Sequence, residues 1–176
     1  MIPWKIFATI LTIPALALVP KSTLPVHAGT ATSINITCNQ QTDIPKIVTT
    51  LASPERSYDI PMLSFLPEYF SPEAASANCG TTATALQTLY DNHKMNYLAS
   101  DTINEKPVVC AVERRGLGCD SYNSQLLFSL EKTVSPTKVL YDMLGSDFKG
   151  SQLPSPRTVS RIYTDLRPSW LWPFTR

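Results

Sequence analysis

Four cysteines, at positions 38, 79, 110 and 119, constrain this fold more than any other feature of the sequence. An even number of cysteines in an exported chain predicts two disulfide bonds, and four cysteines allow three pairings. Cys110 ends one predicted strand and Cys119 precedes the next, so a bridge between them would close a hairpin loop. We favour that pairing, which leaves Cys38 to tie the first strand to Cys79 in the first helix.

The N-terminal segment predicts export. Lys5 precedes an apolar run over residues 6–19, and residues 26–28 are the Val-His-Ala that a signal peptidase could read. We expect residues 1–28 to be a signal peptide and residues 29–33 a short linker. An uncleaved membrane anchor is the alternative, although the run is short for a spanning helix, which needs about 20 residues.

The distribution of charge argues against nucleic acid as a partner. The chain has a formal charge of +1, and residues 151–176 hold four arginines against one aspartate. With the two lysines of the signal segment removed, residues 29–150 carry a net charge of −4. A mildly acidic body with a basic tail is not the composition of a nucleic-acid-binding domain.

Two serine-proline pairs predict helix starts. Ser71 and Ser135 can each cap a first turn, and the proline that follows each suits the first helical position. The first helix should end near residues 91–93, and its glycine and threonines are weak helix formers, so it needs tertiary packing. The second should end at Gly145 in a left-handed conformation.

Alternating and β-branched runs predict the strands. They cover residues 34–38, 45–51, 60–66, 95–103, 107–112 and 125–130. Pro61 and Pro67 place the third of these at a sheet edge, because proline cannot donate to a ladder. The fourth and fifth form a hairpin.

The order and spacing of several motifs are similar to those of the cyanobacterial circadian-oscillating-protein (COP-type) domain. They are Cys38, Cys79, Tyr90-Asp91-Asn92, Met95-Asn96-Tyr97-Leu98, Asn104 to Cys110, Gly118-Cys119 and Leu126 to Leu130. The resemblance covers residues 34–145 and implies an exported protein of the periplasm, thylakoid lumen or cell envelope, with no catalytic residues to carry over. Asn104-Glu105 stands where that family usually has Asn-Gly, so we expect a longer hairpin turn.

The sequence gives no reason to expect a cofactor or a metal. The cysteines lack the close pairs of a zinc site, and His93 is the one histidine after residue 28. The resemblance to the circadian-oscillating-protein domain implies a non-enzymatic envelope protein that contacts a membrane or an unknown protein. The alternative is a hydrolase of envelope polymers that uses two carboxylates the sequence cannot pair.

Two exposed segments are candidate contact sites. Arg114 and Arg115 would stand on a loop tethered by the second disulfide, with Leu117 exposed beside them. Near the C-terminus, Trp170, Trp172 and Phe174 lie among arginines. This composition suits a membrane interface, a docking peptide, or a tail whose aromatic side chains cover an apolar patch of its own domain.

Together these features predict one α+β domain over residues 34–145, followed by a largely disordered basic tail over residues 146–176. We expect an antiparallel sheet of five or six strands with two helices on one face. The predicted core contains Ile47, Ile60, Leu63, Phe65, Leu86, Leu89, Leu98, Val109, Leu127, Phe128, Leu130, Val139, Leu140 and Leu144.

Overall fold

The computed structural model describes residues 33–94, 96–130, 135–149 and 163–166. These residues form two α-helices, two antiparallel sheets of three and four strands, and two disulfide bonds. The helices, the antiparallel pairing and the disulfides agree with the sequence prediction, whereas the single sheet of five or six strands is wrong. Neither helix of the described chain has the length and apolar character needed to cross a bilayer.

The first sheet is a meander of three strands in the order β1-β2-β3. Its strands are β1 (Ser33–Asn39), β2 (Lys46–Ala52) and β3 (Ser57–Ser64). The prediction that β3 is an edge strand is confirmed. Pro61 lies within β3, opposite Val48 and beside a β-bulge, where a missing backbone donor is tolerated.

The second sheet has the strand order β6-β5-β4-β7. Its strands are β4 (Tyr97–Ile103), β5 (Lys106–Val112), β6 (Ser124–Ser129) and β7 (Tyr163–Asp165). Helix α1 (Pro72–Asp91) packs against β1 and β6, which are edge strands of different sheets. The helix, rather than a hydrogen-bonded ladder, therefore links these two strands.

Both predicted helix starts are confirmed. Ser71 accepts from Ala74 N at 3.3 Å, and Ser135 accepts from Lys138 N at 3.5 Å at the start of α2 (Pro136–Met143). One face of α1 is buried, which supplies the packing that its glycine and threonines require. The buried residues are Ala75, Cys79, Thr82, Ala83 and Leu86.

Gly145 does not end α2 in the left-handed conformation that we predicted. Its φ is −65°, which any residue can adopt. The glycine is needed because the backbone passes close to β3: Gly145 N donates to Met62 O at 2.9 Å, and an added Cβ would lie 1.9 Å from Pro61 O.

The main core lies between the sheets and the two helices. Twelve of the fourteen predicted core residues are buried, and Ile60 and Leu89 are partly buried against the same cluster. Phe65, Phe70 and Phe128 meet edge to face at its centre, with ring centroids 5.3–5.8 Å apart. The predicted core did not include Phe70, Met62 and Met143, which are also buried.

A second apolar cluster covers the other face of the second sheet. It contains Ala99, Val108, Cys110, Val112 and Cys119. This explains why β5 is buried along nearly its whole length: one side faces the main core and the other faces the loop that Cys119 anchors.

Part of the predicted tail is folded. Phe148, in a short 3-10 helix (Ser146–Phe148), is buried, and β7 pairs with β4. Leu166 is buried and donates its N–H to Asn96 O at 2.9 Å. The prediction of disorder rested on the proline and serine content of this segment. That content does not show that a three-residue strand can be stabilised by pairing with the edge of an existing sheet.

The hairpin turn between β4 and β5 is shorter than we predicted. Ile103 pairs with Lys106, which leaves Asn104 and Glu105 as a two-residue turn with φ values of +49° and +65°. Two consecutive left-handed residues make a turn of the type that favours Asn-Gly. The unbroken pairing of β4 with β5 leaves only two residues for the turn, so Glu105 has to adopt the left-handed conformation.

Replacing Glu105 with glycine is therefore expected to raise the free energy of unfolding by about 0.5–1 kcal/mol. Glycine adopts the left-handed conformation at little cost, and this gain should exceed the entropy that glycine adds to the unfolded chain. The side chain is exposed, so little packing is lost. Urea denaturation would measure the gain. Glu105→Ala is the control and should give none; a loss of stability in Glu105→Gly would contradict the turn assignment.

Candidate binding site

A surface cavity of about 510 Å³ lies between β1 and α1. This size is typical of a ligand-binding cleft, for which about 300–1,000 Å³ is usual. Strand β1 and the chain just after it form one side, and the middle and second half of α1 form the other. The lining includes Ile36, Thr37, Gln40, Gly80, Thr84 and Gln87.

The first disulfide holds the two walls of this cavity together. Cys38 in β1 is bonded to Cys79 in α1, with Cα atoms 5.5 Å apart. Gly80 follows immediately, and a Cβ added there would meet no atom within 4 Å. The absence of a side chain at Gly80, next to a covalent link that prevents the walls from separating, leaves the space open.

Gln87 connects the two walls at a second point. Its Oε1 accepts from the backbone N of Ile36 at 2.6 Å, and its Nε2 donates to Asp91 Oδ1 at 2.8 Å. The carboxamide therefore satisfies a backbone donor of an edge strand, a group that would otherwise be available to another strand.

Threonines give the helical wall a polar but uncharged surface. Thr84 donates to Gly80 O at 3.1 Å, and Thr88 donates to Thr84 O at 2.9 Å. These bonds use the hydroxyl hydrogens and leave the oxygen lone pairs as acceptors. Among the described residues that line the cavity, none has an acidic or basic side chain, so this lining suits an uncharged ligand.

The predicted arginine loop is a separate surface. Arg114 and Arg115 are exposed, and the Arg115 guanidinium carbon lies 5.4 Å from the centroid of the Tyr97 ring. The prediction that Leu117 is exposed is wrong. It is partly buried against the second apolar cluster, and its carbonyl accepts from Tyr163 OH at 2.9 Å.

The base of this loop is tied down by the second disulfide. Cys110 and Cys119 have Cα atoms 5.6 Å apart, and Cys119 N donates to the buried Asp101 carboxylate at 3.1 Å. The arginines thus project from an anchored loop. The aromatic candidates Trp170, Trp172 and Phe174 lie outside the described residues, as does the predicted signal peptide over residues 1–28.

A third polar site, which the sequence analysis missed, joins α2 to the segment before α1. Asp142 accepts from Tyr69 OH at 2.5 Å and forms an ion pair with Lys138, whose Nζ also lies 3.3 Å from Tyr69 OH. The i,i+4 spacing of Lys138 and Asp142 was visible in the sequence, but the partner 73 residues away from Asp142 was not.

The titration of these groups follows from their contacts. Burial by itself raises the pKa of Asp142, but the hydrogen bonds from Lys138 and Tyr69 outweigh it and lower the pKa below the usual value. Burial raises the pKa of Tyr69, and the neighbouring Asp142 carboxylate adds to the effect. In this site the Asp142 carboxylate is held by the Tyr69 phenol and the Lys138 ammonium, and the pKa shifts do not activate Tyr69 as a nucleophile.

We expect Tyr69→Phe to cost about 1 kcal/mol at pH 7, since a hydrogen bond to a charged group is lost at a partly exposed site. A carboxyl whose folded pKa is depressed stabilises the fold above its unfolded pKa of about 3.9, and the stabilisation is lost as pH falls through the folded pKa. The gap between wild type and Tyr69→Phe should therefore shrink in acid. Urea denaturation at pH 7 and at about pH 2 would test this.

Tyr122→Phe is the matched control for that experiment, because Tyr122 is fully exposed and its loss should change stability at neither pH. A Tyr69→Phe deficit of equal size at both pH values would show that Asp142 ionisation contributes nothing.

Several other acids hold parts of the fold together. Asp59 accepts from Thr50 at 2.7 Å, Asp91 holds Gln87, and Asp101 holds the loop at Cys119. In the part of the chain that the structure describes, no three metal-ligating side chains cluster.

Comparison with known proteins identifies a family for this fold. A family model described as circadian oscillating protein COP23 matches residues 36–170. The match continues beyond Gly145, where the resemblance in the sequence ended, and it includes β7. No curated protein and no solved structure matches the chain.

Proposed function

The chain belongs to the circadian oscillating protein COP23 family, and from that premise we propose that it is an exported, non-enzymatic binding protein of the cyanobacterial envelope. The observation that carries the proposal is that all four cysteines are paired. Disulfides form and persist in oxidising compartments and are rare in a reducing cytosol. The apolar N-terminal segment of the sequence supplies a route to such a compartment.

Binding is favoured over hydrolysis because of where the polar groups lie. The acids named above are held in structural contacts, while the open cavity between β1 and α1 is lined by neutral side chains and backbone. Such a surface can recognise a partner through hydrogen bonds and shape, but it offers no general acid or base.

Export is tested by the intact mass of the protein from its native host, measured with and without reductant. We expect a chain that begins at Gly29 and lacks four hydrogens, found in the periplasmic or membrane fraction. A chain that begins at Met1 with four free thiols, found in the cytosol, would overturn the proposal.

Peripheral membrane contact is the second part of the proposal, and it is assigned to the aromatic and arginine residues of positions 167–176. The test compares sedimentation of the mature chain with vesicles containing anionic lipid, with and without those positions. Loss of sedimentation on truncation is the expected result. Equal sedimentation of both chains would rule out this segment as the membrane contact. The double variant Trp170→Ala with Trp172→Ala would separate the contribution of the aromatic side chains from that of the arginines.

A further inference from the structure

We propose that the cavity between β1 and α1 binds an uncharged, extended peptide segment of a partner protein, which adds to the first sheet as a fourth strand beside β1. The inference rests on the proposed binding role and names the class of partner. Its two components are a sheet edge that offers backbone groups and a helix that forms the opposite wall, an arrangement suited to strand addition.

The backbone of β1 faces the cavity with the correct groups. Because Ile36 N donates to Gln87, this N–H points away from β2. Pairs that exchange hydrogen bonds alternate with pairs that do not along an antiparallel ladder. The N–H and C=O groups of Ile34 and Cys38 therefore also point away from β2, so that three alternate residues present backbone groups to an added strand.

Gln87 already occupies the position of one bond from such a strand. Its Oε1 lies 2.6 Å from Ile36 N, where the carbonyl oxygen of an added strand would lie. A peptide carbonyl can replace it with no change in the number of hydrogen bonds at Ile36. The displaced carboxamide would keep its bond to the exposed Asp91, 2.8 Å away. Gln87 thus protects the edge in the unbound protein and can be exchanged on binding.

The walls define the chemistry of the peptide. Charged side chains entering the cavity would lose water without gaining an ion partner from its neutral lining, which is unfavourable. Small or β-branched uncharged side chains can fill the space over Gly80 and Ala83 and accept or donate at the hydroxyls of Thr84 and Thr88. A strand rises about 3.3 Å per residue, so the exposed edge from Ile34 to Cys38 suits a segment of about five residues.

Gly80 provides a way to close the cavity without disturbing the fold. The position is helical, and an added Cβ meets nothing within 4 Å. Gly80→Leu would place a side chain in the cavity and raise helix propensity. Thr81→Leu adds the same side chain at an exposed helical position outside the cavity lining, which makes it the matched control.

The probe is a displayed library of random, extended peptides of about seven residues, selected on the oxidised protein. We expect enriched peptides to be uncharged and rich in Val, Ile and Thr. Synthetic copies should bind wild type and Thr81→Leu alike and bind Gly80→Leu at least about tenfold more weakly. Methylation of alternate peptide amides should abolish binding, and bound peptide should slow amide hydrogen exchange at Ile34 and Cys38.

Three outcomes would overturn the inference. They are a selection without enrichment, enriched peptides that bind Gly80→Leu as well as wild type, and a protein that dimerises through β1, which would assign the edge to a second copy of the chain. None of them bears on export, which the intact mass decides separately.

Discussion

Removal of the Cys38–Cys79 bridge is expected to lower the free energy of unfolding by about 4 kcal/mol, the largest effect of any change considered. The bridge spans 41 residues, and closing a longer loop removes more entropy from the unfolded chain. The comparison bridge, Cys110–Cys119, spans 9 residues and should contribute about 2.5 kcal/mol. Each is a substantial part of the roughly 5–15 kcal/mol by which small domains are stable.

The measurement is urea denaturation of two double variants, Cys38→Ala with Cys79→Ala and Cys110→Ala with Cys119→Ala. Alanine is used because Cys79 and Cys110 are fully buried and a polar replacement would add a desolvation cost. Reductant should leave both double variants less affected than the wild type. If removing the short bridge cost more than removing the long one, local packing rather than loop entropy would dominate the contribution of these disulfides.

Gly145→Ala is expected to cost about 3 kcal/mol, near the upper end of the usual range for overpacking. The added Cβ would lie 1.9 Å from the carbonyl oxygen of Pro61, and the clash is with backbone, which cannot rotate away as a side chain can. Relief requires the end of α2 to move from β3, which breaks the hydrogen bond from Gly145 N to Met62 O and the bridge between Leu63 and Leu144. Thermal or urea unfolding would report the loss.

Two other glycines serve as controls for this prediction. Gly80→Ala should stabilise the protein by up to about 1 kcal/mol, because the site is helical and open. Gly116→Ala should cost about 1 kcal/mol, since its φ of +92° is unfavourable for alanine although no atom is nearby. If Gly145→Ala were as mild as Gly116→Ala, the close approach of α2 to β3 would not be present in solution.

The two disulfides lie beside the two candidate contact surfaces. One fixes the walls of the β1–α1 cavity and the other anchors the base of the arginine loop. A small domain buries a smaller share of its surface than a large one, and covalent links at these points help to preserve the shape of exposed surfaces. Both candidate contact surfaces are thus joined covalently to a second element of the fold.

Local features of the sequence determined the helix starts and most of the strands. Ser71 and Ser135 cap their helices because the donor and acceptor lie within three residues of each other. Alternation within β2 places Ile47 and Leu51 inward by the geometry of a strand alone. The predicted core residues are for the same reason nearly all buried, since periodicity records which side of an element is apolar.

Tertiary structure alone decided which elements meet. Division of the strands into two sheets, addition of β7 to β4, and the contact of Asp142 with Tyr69 depend on residues far apart in the chain. Gly145 shows most clearly what the sequence cannot predict. Its sequence context indicates a left-handed helix end, but the structure requires glycine there because a Cβ would collide with the β3 backbone. The cavity is likewise invisible in the sequence, because Gly80 and Gln87 of α1 acquire their meaning only when packing brings the helix to the edge of β1. Local propensities are set by neighbouring residues, whereas sheet pairing and close approach are set by the whole core.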